Sequence, residues 1–471
     1  MKYIKNILIF GAGGAGKDLL RSAKKNKINV FFFIDSNIDK RNTYLDKVKI
    51  VHESEIKNIV NNYQVDEVWI AIPSISKAEI LKIRNRLIEF VDVIKWIPSF
   101  DELLADTDLK KEIKMDTSIL LNRKEYSVDS HSCKNLVKKK VVLICGAGGS
   151  IGSELSKQIC KGAPNTIILS DLSEFSLFTV KSEIDELIIQ NGFNTKVVSI
   201  LGDLSNIKNV DEIFKNYSPE IVIHAAAYKH VFMSENNPRQ VLFNNIISTY
   251  NLCCYSSRNN VKKFIMISSD KAVNPSNIMG LSKLVCEVIV DKFQKNKSLT
   301  RFSSVRFGNV LNSSGSVIPI FLKQISKGGP ITLRDRKITR YFMTIEEACS
   351  LILKSAKIID NKLRTFVLDM GDPVKIYDLA KSLIKLRGFS NDPSKKNYIE
   401  IKITKLLKGE KLHETLCYSG RLKETNVKKI KFISENNKLE ILSKTLKMKS
   451  FSNLKNKEWF IEILNKTNLK C

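Results

Sequence analysis

The sequence predicts an α/β protein in which two doubly wound parallel sheets follow one another along 471 residues. Two observations lead to this prediction. Short apolar runs alternate with longer helical patterns, as in parallel sheets whose strands are joined by helices. A glycine-rich turn also follows an apolar strand twice, at Gly11 and at Gly146, and each turn opens a helical pattern. This repeat indicates two Rossmann-like units of the kind that binds nucleotides.

The first domain is predicted to cover residues 1–100. Its strands are expected at 6–10, 30–34 and 67–72. Asp35 closes the second of these strands, where an acid is typical of a βαβ nucleotide-binding unit. Two interpretations stay open: a second nucleotide or nucleotide-sugar site, or a retained fold that binds nothing and serves assembly. Residues 101–138 are polar and charged, which predicts a linker.

The second domain is predicted to cover residues 139–420. Its strands are expected at 139–145, 165–170, 196–201, 220–224, 262–268 and 302–307. Beyond about residue 310 the alternation of strand and helix loosens, and this part is expected to form the second wall of a substrate cleft. Residues 421–471 are lysine-rich and are predicted to form basic C-terminal helices or a tail.

The composition is that of a globular protein with a basic surface. Apolar residues make up 43% of the chain, and the net charge is +28. Because the lysines are scattered and no basic stripe contains interleaved aromatic residues, we expect no nucleic-acid partner. A weak attraction to an anionic membrane surface stays open. Without a signal peptide, an apolar run of bilayer length or paired-cysteine spacing, we expect a cytoplasmic protein with reduced thiols and no metal site.

The second glycine turn predicts a dinucleotide site. Gly146, Gly149 and Gly152 let the backbone turn tightly and approach a pyrophosphate, while Ser150 and Ile151 begin a helix whose free N–H groups attract it.

Acidic and small residues follow the next strands of this domain. Asp171 closes the second strand, where a carboxylate accepts hydrogen bonds from both ribose hydroxyls and repels a 2′-phosphate, which favours NAD over NADP. The alternative is a helix cap supplied by Asp171 or Ser173. Asp203 and Leu204 follow the third strand and are expected near the adenine, although Asp203 could again be a cap. Ala225 and Ala226 follow the fourth strand, where small side chains let a cofactor lie flat; tight helix packing would need them equally.

A hydroxyl, an acid and a lysine follow the fifth strand as Ser269, Asp270 and Lys271. They stand at the carboxyl edge of the predicted sheet, where ligands bind in such folds. An adjacent carboxyl and amine can serve as general acid and base, whereas an isolated Asp-Lys pair is more often a solvated surface ion pair. Short-chain dehydrogenase/reductases carry Tyr-x-x-x-Lys on the next helix, and this sequence has Met279 and Lys283 at those two positions. Methionine cannot transfer a proton.

The motifs together resemble a known family. They are GAGGSIGSEL (146–155), HAAAYKHVFMSENNP (224–238), SSDKAVNPSNIMGLSK (268–283), VRFGNVLNSSGSVIPIF (305–321), ITRYFMT (338–344) and VLDMGDPVKIYDLA (367–380). In this order they resemble nucleotide-sugar 4,6-dehydratases of the extended short-chain dehydrogenase/reductase group. The nearest resemblance is to long UDP-N-acetylglucosamine 4,6-dehydratases that retain the C5 configuration, a branch that methionine in place of tyrosine marks.

This sequence departs from those long proteins in two respects. They usually begin with transmembrane helices, which are not expected here. The stretch Lys405–Leu412 lacks their arginine-proline before Gly-Glu-Lys, which puts the substrate contacts of that loop in doubt.

The resemblance implies an internally redox-neutral loss of water from a UDP-sugar, with NAD bound tightly. It assigns Asp270 as the acid at the C6 hydroxyl, Lys271 as the base at C5, and Ser269 as a hold or relay at the 4-hydroxyl. Lys283 would orient the nicotinamide ribose. The implied substrate contacts are Lys229, Asn309, Ser316 and Arg340, and a surface salt bridge is the alternative for Arg340. Related proteins commonly pair through helix bundles, so a homo-oligomer is expected.

Two other functions compete with this one. A UDP-sugar 4-epimerase shares the fold and the first hydride step, but the missing tyrosine and the Asp270-Lys271 pair argue against it. A non-catalytic sensor of NAD or of a nucleotide sugar would explain Met279 as lost catalysis.

Overall fold

The computed structural model describes most of the chain in two compact units. The described residues are 5–25, 28–72, 79, 83, 86–87, 90–91, 94–96, 130–296, 298–362, 365–387, 389–395, 397–418, 422–433, 438–448, 457–467 and 469. Of these, the first unit takes residues within 1–116, 321–332 and 378–402, and the second takes those within 117–320, 333–377 and 403–471. Residues 101–129 of the predicted linker lie outside the described residues. The predicted domain boundaries stay predictions.

The first unit contains a six-stranded sheet. Its strands are β1 (Asn6–Phe10), β2 (Asn29–Asp35), β3 (Tyr44–Leu45), β4 (Val48–His52), β5 (Glu67–Ile70) and β6 (Ile94–Trp96), with helices α1 (Gly14–Lys25) and α2 (Ile56–Asn62). The order is β3-β4-β2-β1-β5-β6, with only β3 antiparallel to its neighbour. Side chains of β1 alternate between two cores, Leu8 and Phe10 in one and Ile7 and Ile9 in the other.

The strands from residue 130 onward are β7 (Val141–Cys145), β8 (Thr166–Asp171), β9 (Lys196–Leu201), β10 (Ile221–His224), β11 (Lys263–Ile267), β12 (Arg301–Arg306), β13 (Asn309–Val310), β14 (Ile331–Leu333), β15 (Thr339–Arg340), β16 (Phe342–Met343), β17 (Thr365–Leu368), β18 (Val374–Lys375), β19 (Ile401–Ile403), β20 (Lys423–Glu424) and β21 (Ile430–Ile433). The helices are α3 (Ser130–Val137), α4 (Ser150–Cys160), α5 (Glu174–Asn191), α6 (Ile207–Tyr217), α7 (Val231–Asn236), α8 (Pro238–Arg258), α9 (Ile278–Lys295), α10 (Val317–Ser326), α11 (Ile345–Ile358), α12 (Ile376–Leu386), α13 (Lys438–Leu446) and α14 (Glu458–Lys466).

Nine of these strands form one sheet in the order β20-β21-β17-β12-β11-β10-β7-β8-β9. The run from β9 to β17 is parallel, which confirms the predicted doubly wound α/β class. Two antiparallel strands, β21 and β20, extend the sheet beyond residue 420, where the sequence predicted only helices or a tail. The strands after β7 are added first on one side of it, as β8 and β9, and then on the other side, starting with β10. At this switch point a crevice opens at the carboxyl ends of the strands.

Both faces of this sheet are covered. Leu143 and Cys145 enter one core, and Val142 and Ile144 enter the other, because successive side chains of a strand point to opposite faces. Apolar residues of α13 and α14 complete the first of these cores: Leu442, Leu446, Phe460, Ile463 and Leu464. The lysine-rich C-terminal segment therefore contributes to the core. Within the part of the chain that the structure describes, no helix is long and apolar enough to cross a bilayer.

Candidate functional site

The glycine turn after β7 approaches its neighbours so closely that larger residues do not fit. Gly146 has a positive φ of 74°, and a Cβ there would lie 2.6 Å from the Ala226 nitrogen. A Cβ at Gly152 would lie 1.9 Å from the Gly146 carbonyl oxygen. Helix α4 starts directly after this turn, with Gly149 as an N-cap that offers no side-chain acceptor and with no acid in its first turn. Its first N–H groups therefore remain available to an anion.

Asp171 lies at the end of β8 beside the turn. Its Oδ2 accepts a hydrogen bond from the Gly148 nitrogen at 2.9 Å, and its Oδ1 accepts one from the Ser173 nitrogen at 2.9 Å. The helix cap considered as an alternative is supplied by Ser173, whose hydroxyl accepts from the Ser176 nitrogen. Asp171 thus fixes the glycine turn and still presents lone pairs to a ligand.

A cavity of about 600 Å³ lies at this edge of the sheet. Most of the predicted residues line it: Gly146, Gly149, Ser150, Ile151, Gly152, Asp171, Leu204, Ala225, Ala226, Lys229, Ser269, Lys271, Met279, Lys283, Asn309 and Ser316. The glycine turn and the predicted catalytic residues, which are more than 100 residues apart in sequence, therefore share one cavity.

Three predicted residues do not line this cavity, namely Asp203, Asp270 and Arg340. Both carboxylate oxygens of Asp203 accept hydrogen bonds from Ser205, at 2.7 Å from the backbone nitrogen and 2.8 Å from the hydroxyl, so the side chain closes its own turn. Arg340 donates to three backbone carbonyls, those of Thr339, Lys411 and Leu412. It organises the loop around residue 411, and the surface ion pair considered as its alternative is not found among the described residues. Its contact with a substrate stays a prediction.

The Asp-Lys pair after β11 is buried rather than solvated. The Asp270 side chain is fully buried and that of Lys271 is 19% exposed. Oδ1 of Asp270 accepts hydrogen bonds from Lys271 Nζ at 3.0 Å and from the Ser269 hydroxyl at 2.9 Å. Ser269 and Lys271 line the cavity, but Asp270 lies behind them. Asp270 can therefore reach a ligand only through its two neighbours.

The second oxygen of Asp270 has no hydrogen-bond partner among the described residues. It faces Gly308, where a Cβ would lie 3.1 Å from it. An unpaired buried carboxylate oxygen costs free energy unless a hydrogen-bond donor reaches it.

Helix α9 brings Met279 and Lys283 against the same cavity. A Cβ at Gly280 would lie 2.3 Å from the Lys271 carbonyl oxygen, so glycine lets this helix approach the Asp-Lys turn. Lys283 donates to the Ile267 carbonyl at 2.9 Å, and burial lowers its pKa. Burial, with a smaller contribution from the charge on Lys283, lowers the pKa of His224 to about 3, so that imidazole is neutral.

The part of the cavity predicted to hold a substrate is polar. Lys229 and Asn309 line it, and burial lowers the pKa of Lys229. The buried hydroxyl of Ser316 has no hydrogen-bond partner among the described residues. Such a group is available to a ligand.

Several residues that line the cavity were not predicted from the sequence, among them Tyr228, His230, Phe307 and Ser314. The Ser314 nitrogen donates to the Ser150 hydroxyl at 3.1 Å, so the loop at 313–316 closes over the glycine turn. These residues stand inside the quoted motifs, but only the fold shows that they turn towards the cavity.

The site fits a dinucleotide. The glycines let the turn pack against Ala226 and against the start of α4, and the turn lines one cavity together with Asp171 and Lys283. The fold and this site together define a Rossmann protein of the short-chain dehydrogenase/reductase class.

Comparison with known proteins identifies the family. A family model described as polysaccharide biosynthesis protein matches residues 142–435, and the chain belongs to that family. A second model, described as C2185-like, N-terminal, matches residues 3–94. The capsular polysaccharide biosynthesis protein CapD of Staphylococcus aureus is 37% identical over 426 residues, which are 89% of this chain and 69% of that protein.

Two further relatives have different activities at equal similarity. The inverting UDP-N-acetylglucosamine 4,6-dehydratase of Campylobacter jejuni is 32% identical over 292 residues, 60% of this chain and 79% of its own length. The UDP-glucose 4-epimerase of Rickettsia rickettsii is 32% identical over 287 residues, with the same two coverages. Overall sequence similarity therefore does not distinguish a dehydratase from an epimerase. The residues of the site must make that distinction.

Solved structures share the fold of the second unit. Pen from Bacillus thuringiensis is 29% identical, with a TM-score of 0.57, and the match covers 66% of this chain and 98% of Pen. The dTDP-glucose 4,6-dehydratase DesIV from Streptomyces venezuelae, solved with NAD and TYD bound, is 18% identical, with a TM-score of 0.51 and coverages of 59% and 88%. The likeness to DesIV concerns the fold alone.

Proposed function

We propose that this protein is a nucleotide-sugar 4,6-dehydratase that acts on UDP-N-acetylglucosamine with NAD in the cavity of the second unit. The product would be the UDP-linked 4-keto-6-deoxy sugar, made for surface polysaccharide or glycan biosynthesis. The observation that carries the proposal is the buried Asp270–Lys271 pair, hydrogen-bonded at 3.0 Å beside a dinucleotide cavity where α9 presents Met279. This site has a proton donor and acceptor side by side, but no phenol on the helix.

The cofactor assignment is supported by the residues around the cavity. Asp171 would accept hydrogen bonds from the ribose hydroxyls, the glycine turn would hold the pyrophosphate, and Lys283 would hold the nicotinamide ribose. When bound, NAD would accept the hydride from C4 of the sugar and later return it to C6. The contact between Ser314 and Ser150 closes the turn from above, which favours a cofactor that stays bound between turnovers.

The proton steps follow from the position of each side chain. Lys271 lines the cavity, and its Nζ would take the proton from C5 of the 4-keto sugar. Asp270 would supply the proton that leaves with the C6 oxygen as water. Because Asp270 does not reach the cavity, this proton would pass through the Ser269 hydroxyl, which is bonded to Asp270 Oδ1 at 2.9 Å. Positioned acid–base groups of this kind contribute roughly 10²–10⁴-fold in rate.

The pair would reset itself after each turnover. Removal of water leaves Lys271 with an added proton and Asp270 without one. Lys271 would give its proton back to C5 when the hydride returns to C6. The proton that Asp270 supplies to the leaving water would have come from the 4-hydroxyl through Ser269 during oxidation at C4, so both side chains end as they began. No external acid or base is needed, in agreement with a reaction that loses only water.

The sugar nucleotide would bind across the polar end of the cavity. Lys229 would neutralise a diphosphate oxygen, and Asn309 with Ser316 would supply hydrogen bonds. Arg340 would act indirectly, because it holds the carbonyls of Lys411 and Leu412. The choice of the N-acetyl substrate rests on the resemblance of the motifs and on the Campylobacter relative.

The experiment is incubation of the purified protein with UDP-N-acetylglucosamine without added NAD, followed by mass spectrometry and NMR. We expect loss of one water and a new C6 methyl signal, and proton couplings at C5 that report whether configuration is retained. Lys271→Met should give neither product signal. Turnover by that variant at the wild-type rate would exclude the assigned base.

Epimerisation is the second candidate, because a 4-epimerase is as similar in sequence as a dehydratase. In that case UDP-N-acetylgalactosamine would appear without loss of mass. A sensor of NAD or nucleotide sugar would bind both ligands and convert neither, and its binding would survive replacement of Asp270 and Lys271.

A further inference from the structure

Helix α9 carries a stripe of functional side chains from the cavity into the core. Met279, Lys283, Glu287 and Asp291 are spaced four residues apart and therefore lie along one face of the helix. The first two line the cavity. Glu287 is fully buried and Asp291 is 7% exposed. Two carboxylates on the catalytic helix therefore lie in the core and need partners there.

Glu287 connects this helix to the strand-end loop that carries the predicted catalytic residues. Its Oε1 accepts hydrogen bonds from the Ser268 hydroxyl at 2.6 Å and from Arg306 Nε at 2.7 Å, and Arg306 also contacts Oε2. Ser268 directly precedes Ser269. Burial would raise the pKa of Glu287, but the charges of Arg306 and Lys438 outweigh it and lower the pKa to about 2. Glu287 is therefore ionised and holds one end of the loop.

Arg306 connects the same carboxylate to the other end of the loop. Its guanidinium lies over the ring of Tyr418, 5.8 Å from the centroid. The Tyr418 hydroxyl donates to the Ala272 carbonyl at 3.2 Å and accepts from the Asn274 nitrogen at 3.1 Å. The loop from Ser268 to Asn274 is thus held on both sides of the Asp-Lys pair.

Lys438 completes the charge balance of this network. It is the first residue of α13 and is 3% exposed. Its Nζ lies 2.9 Å from Asp291 Oδ2 and 3.4 Å from Glu287 Oε2, and it donates to the Thr365 hydroxyl at 2.7 Å. Two acids and two bases therefore share one buried site. The family match ends at residue 435, so it does not include Lys438.

We propose that Lys438 is a positioning residue of the active site, which holds Glu287 and through it the loop of Ser269, Asp270 and Lys271. The proposal rests on the proposed function for its activity measurements. The basic C-terminal segment would then contribute to catalysis, although it is far in sequence from the residues that line the cavity. Small displacements of catalytic groups by distant residues can cost about 10²-fold in rate.

The test compares Lys438→Met with Lys444→Met, a matched change on the same helix. Lys444 forms an exposed pair with Glu440, with side chains 74% and 60% exposed. Lys438→Met should lower kcat by about 10- to 100-fold with KM within about threefold, because positioning acts on the reacting groups rather than on substrate binding. Hydrogen exchange of the amides of residues 268–274 should become about tenfold faster. Lys444→Met should leave kcat, KM and exchange unchanged.

A double variant separates positioning from general destabilisation. Lys438→Met leaves the buried Asp291 without its cation, so the melting temperature of this variant should be lower than that of the wild type. Asp291→Asn combined with Lys438→Met leaves a balanced Glu287–Arg306 pair and should regain most of the melting temperature. The proposal requires kcat to stay low and loop exchange to stay fast in this double variant. Recovery of wild-type kcat there, or wild-type kcat and exchange in Lys438→Met alone, would overturn it.

The exchange measurement also separates this proposal from the proposed function. If wild-type protein turned over no nucleotide sugar, the dehydratase assignment would fail. Faster exchange of residues 268–274 in Lys438→Met, but not in Lys444→Met, would still support the positioning role. Unchanged exchange would reject that role whether or not the enzyme is active.

Discussion

The two glycine turns have nearly the same local structure but different surroundings. In the first unit, Asp35 Oδ2 accepts from the Ala12 nitrogen at 3.1 Å, as Asp171 Oδ2 accepts from Gly148 at 2.9 Å. Asp35 Oδ2 also forms an ion pair with Lys40 at 2.8 Å. Among the described residues, Asp171 has no such cation partner.

The cavities differ as well. The cavity at the second turn is lined by its glycines, whereas the described lining of the roughly 500 Å³ cavity in the first unit includes Phe10 and His52 but no residue of the turn at 11–16. The comparison teaches that a glycine turn and a strand-end acid define a fold. A ligand site further requires an acid free to accept from a ligand and a cavity at the turn.

The largest difference between the two glycine turns should lie in how changes beside them affect catalysis. Lys271→Met should lower turnover of UDP-N-acetylglucosamine by about 10²–10⁴-fold, because it removes the proposed base at C5. Lys40→Met, the matched change beside the first turn, should leave turnover within about twofold. Product formation measured by mass spectrometry checks both. An equal loss in the two variants would show that the first unit takes part in the reaction.

Replacing the last glycine of each turn should separate cofactor binding from stability. Gly152→Ala and Gly16→Ala both place a Cβ against a carbonyl oxygen, at 1.9 and 2.1 Å, and each should destabilise its unit by about 1–3 kcal/mol. Only Gly152→Ala should also lose bound NAD, measured by chromatography of nucleotide released from the purified protein. Loss of NAD in Gly16→Ala would place a cofactor at the first turn.

The ion pair at the first turn should make Asp35 a stabilising group at neutral pH. Burial raises the pKa of Asp35, but the hydrogen bonds from Lys40, Asn37 and Ala12 outweigh it and hold the pKa below its usual value of 3.8. The stabilisation is therefore present above pH 3.8 and lost as the pH falls through the lowered pKa.

Asp35→Asn should accordingly cost up to about 1 kcal/mol at pH 7. Melting curves at pH 7 and at pH 3 or below check this, and the difference between variant and wild type should shrink at the lower pH. A constant difference at both pH values would mean that the carboxylate charge contributes nothing.

The smallest effect should come from the middle glycines. A Cβ at Gly13 meets nothing within 4 Å, and Gly13 does not have a positive φ, so Gly13→Ala should change stability by only about 0.4–1 kcal/mol, in the stabilising direction. A Cβ at Gly148 would lie 2.4 Å from the Ser176 Cβ, so Gly148→Ala should be destabilising. Thermal melting of both variants sharpens the comparison, and strong destabilisation by Gly13→Ala would reveal a neighbour close to the first turn.

Much of the fold and of the site follows from the sequence alone. The six strands predicted between residues 139 and 307 all occur, because continuous apolar runs bounded by turns leave few alternatives to buried parallel strands. The cavity at the second glycine turn also follows, since the carboxyl ends of parallel strands meet at one edge. The glycine turn, Asp171 and the Ser269–Lys271 triplet could be predicted as candidates because each pattern involves only a few neighbouring residues.

Tertiary structure decided which side chains reach the cavity. Asp203 turns to Ser205, Arg340 turns to the carbonyls of Lys411 and Leu412, and Asp270 lies behind Lys271. Sequence shows that a polar group is present, but its direction depends on whichever partner the folded chain places nearest.

The C-terminal segment shows this most clearly. Its lysines predicted a basic surface, yet Lys438 lies in the core beside Glu287 and Asp291, which precede it by 151 and 147 residues. A charged residue in a sequence must be either solvated or paired in the folded protein. Whether water or a buried carboxylate does so depends on contacts between distant residues, and those exist only once the chain has folded.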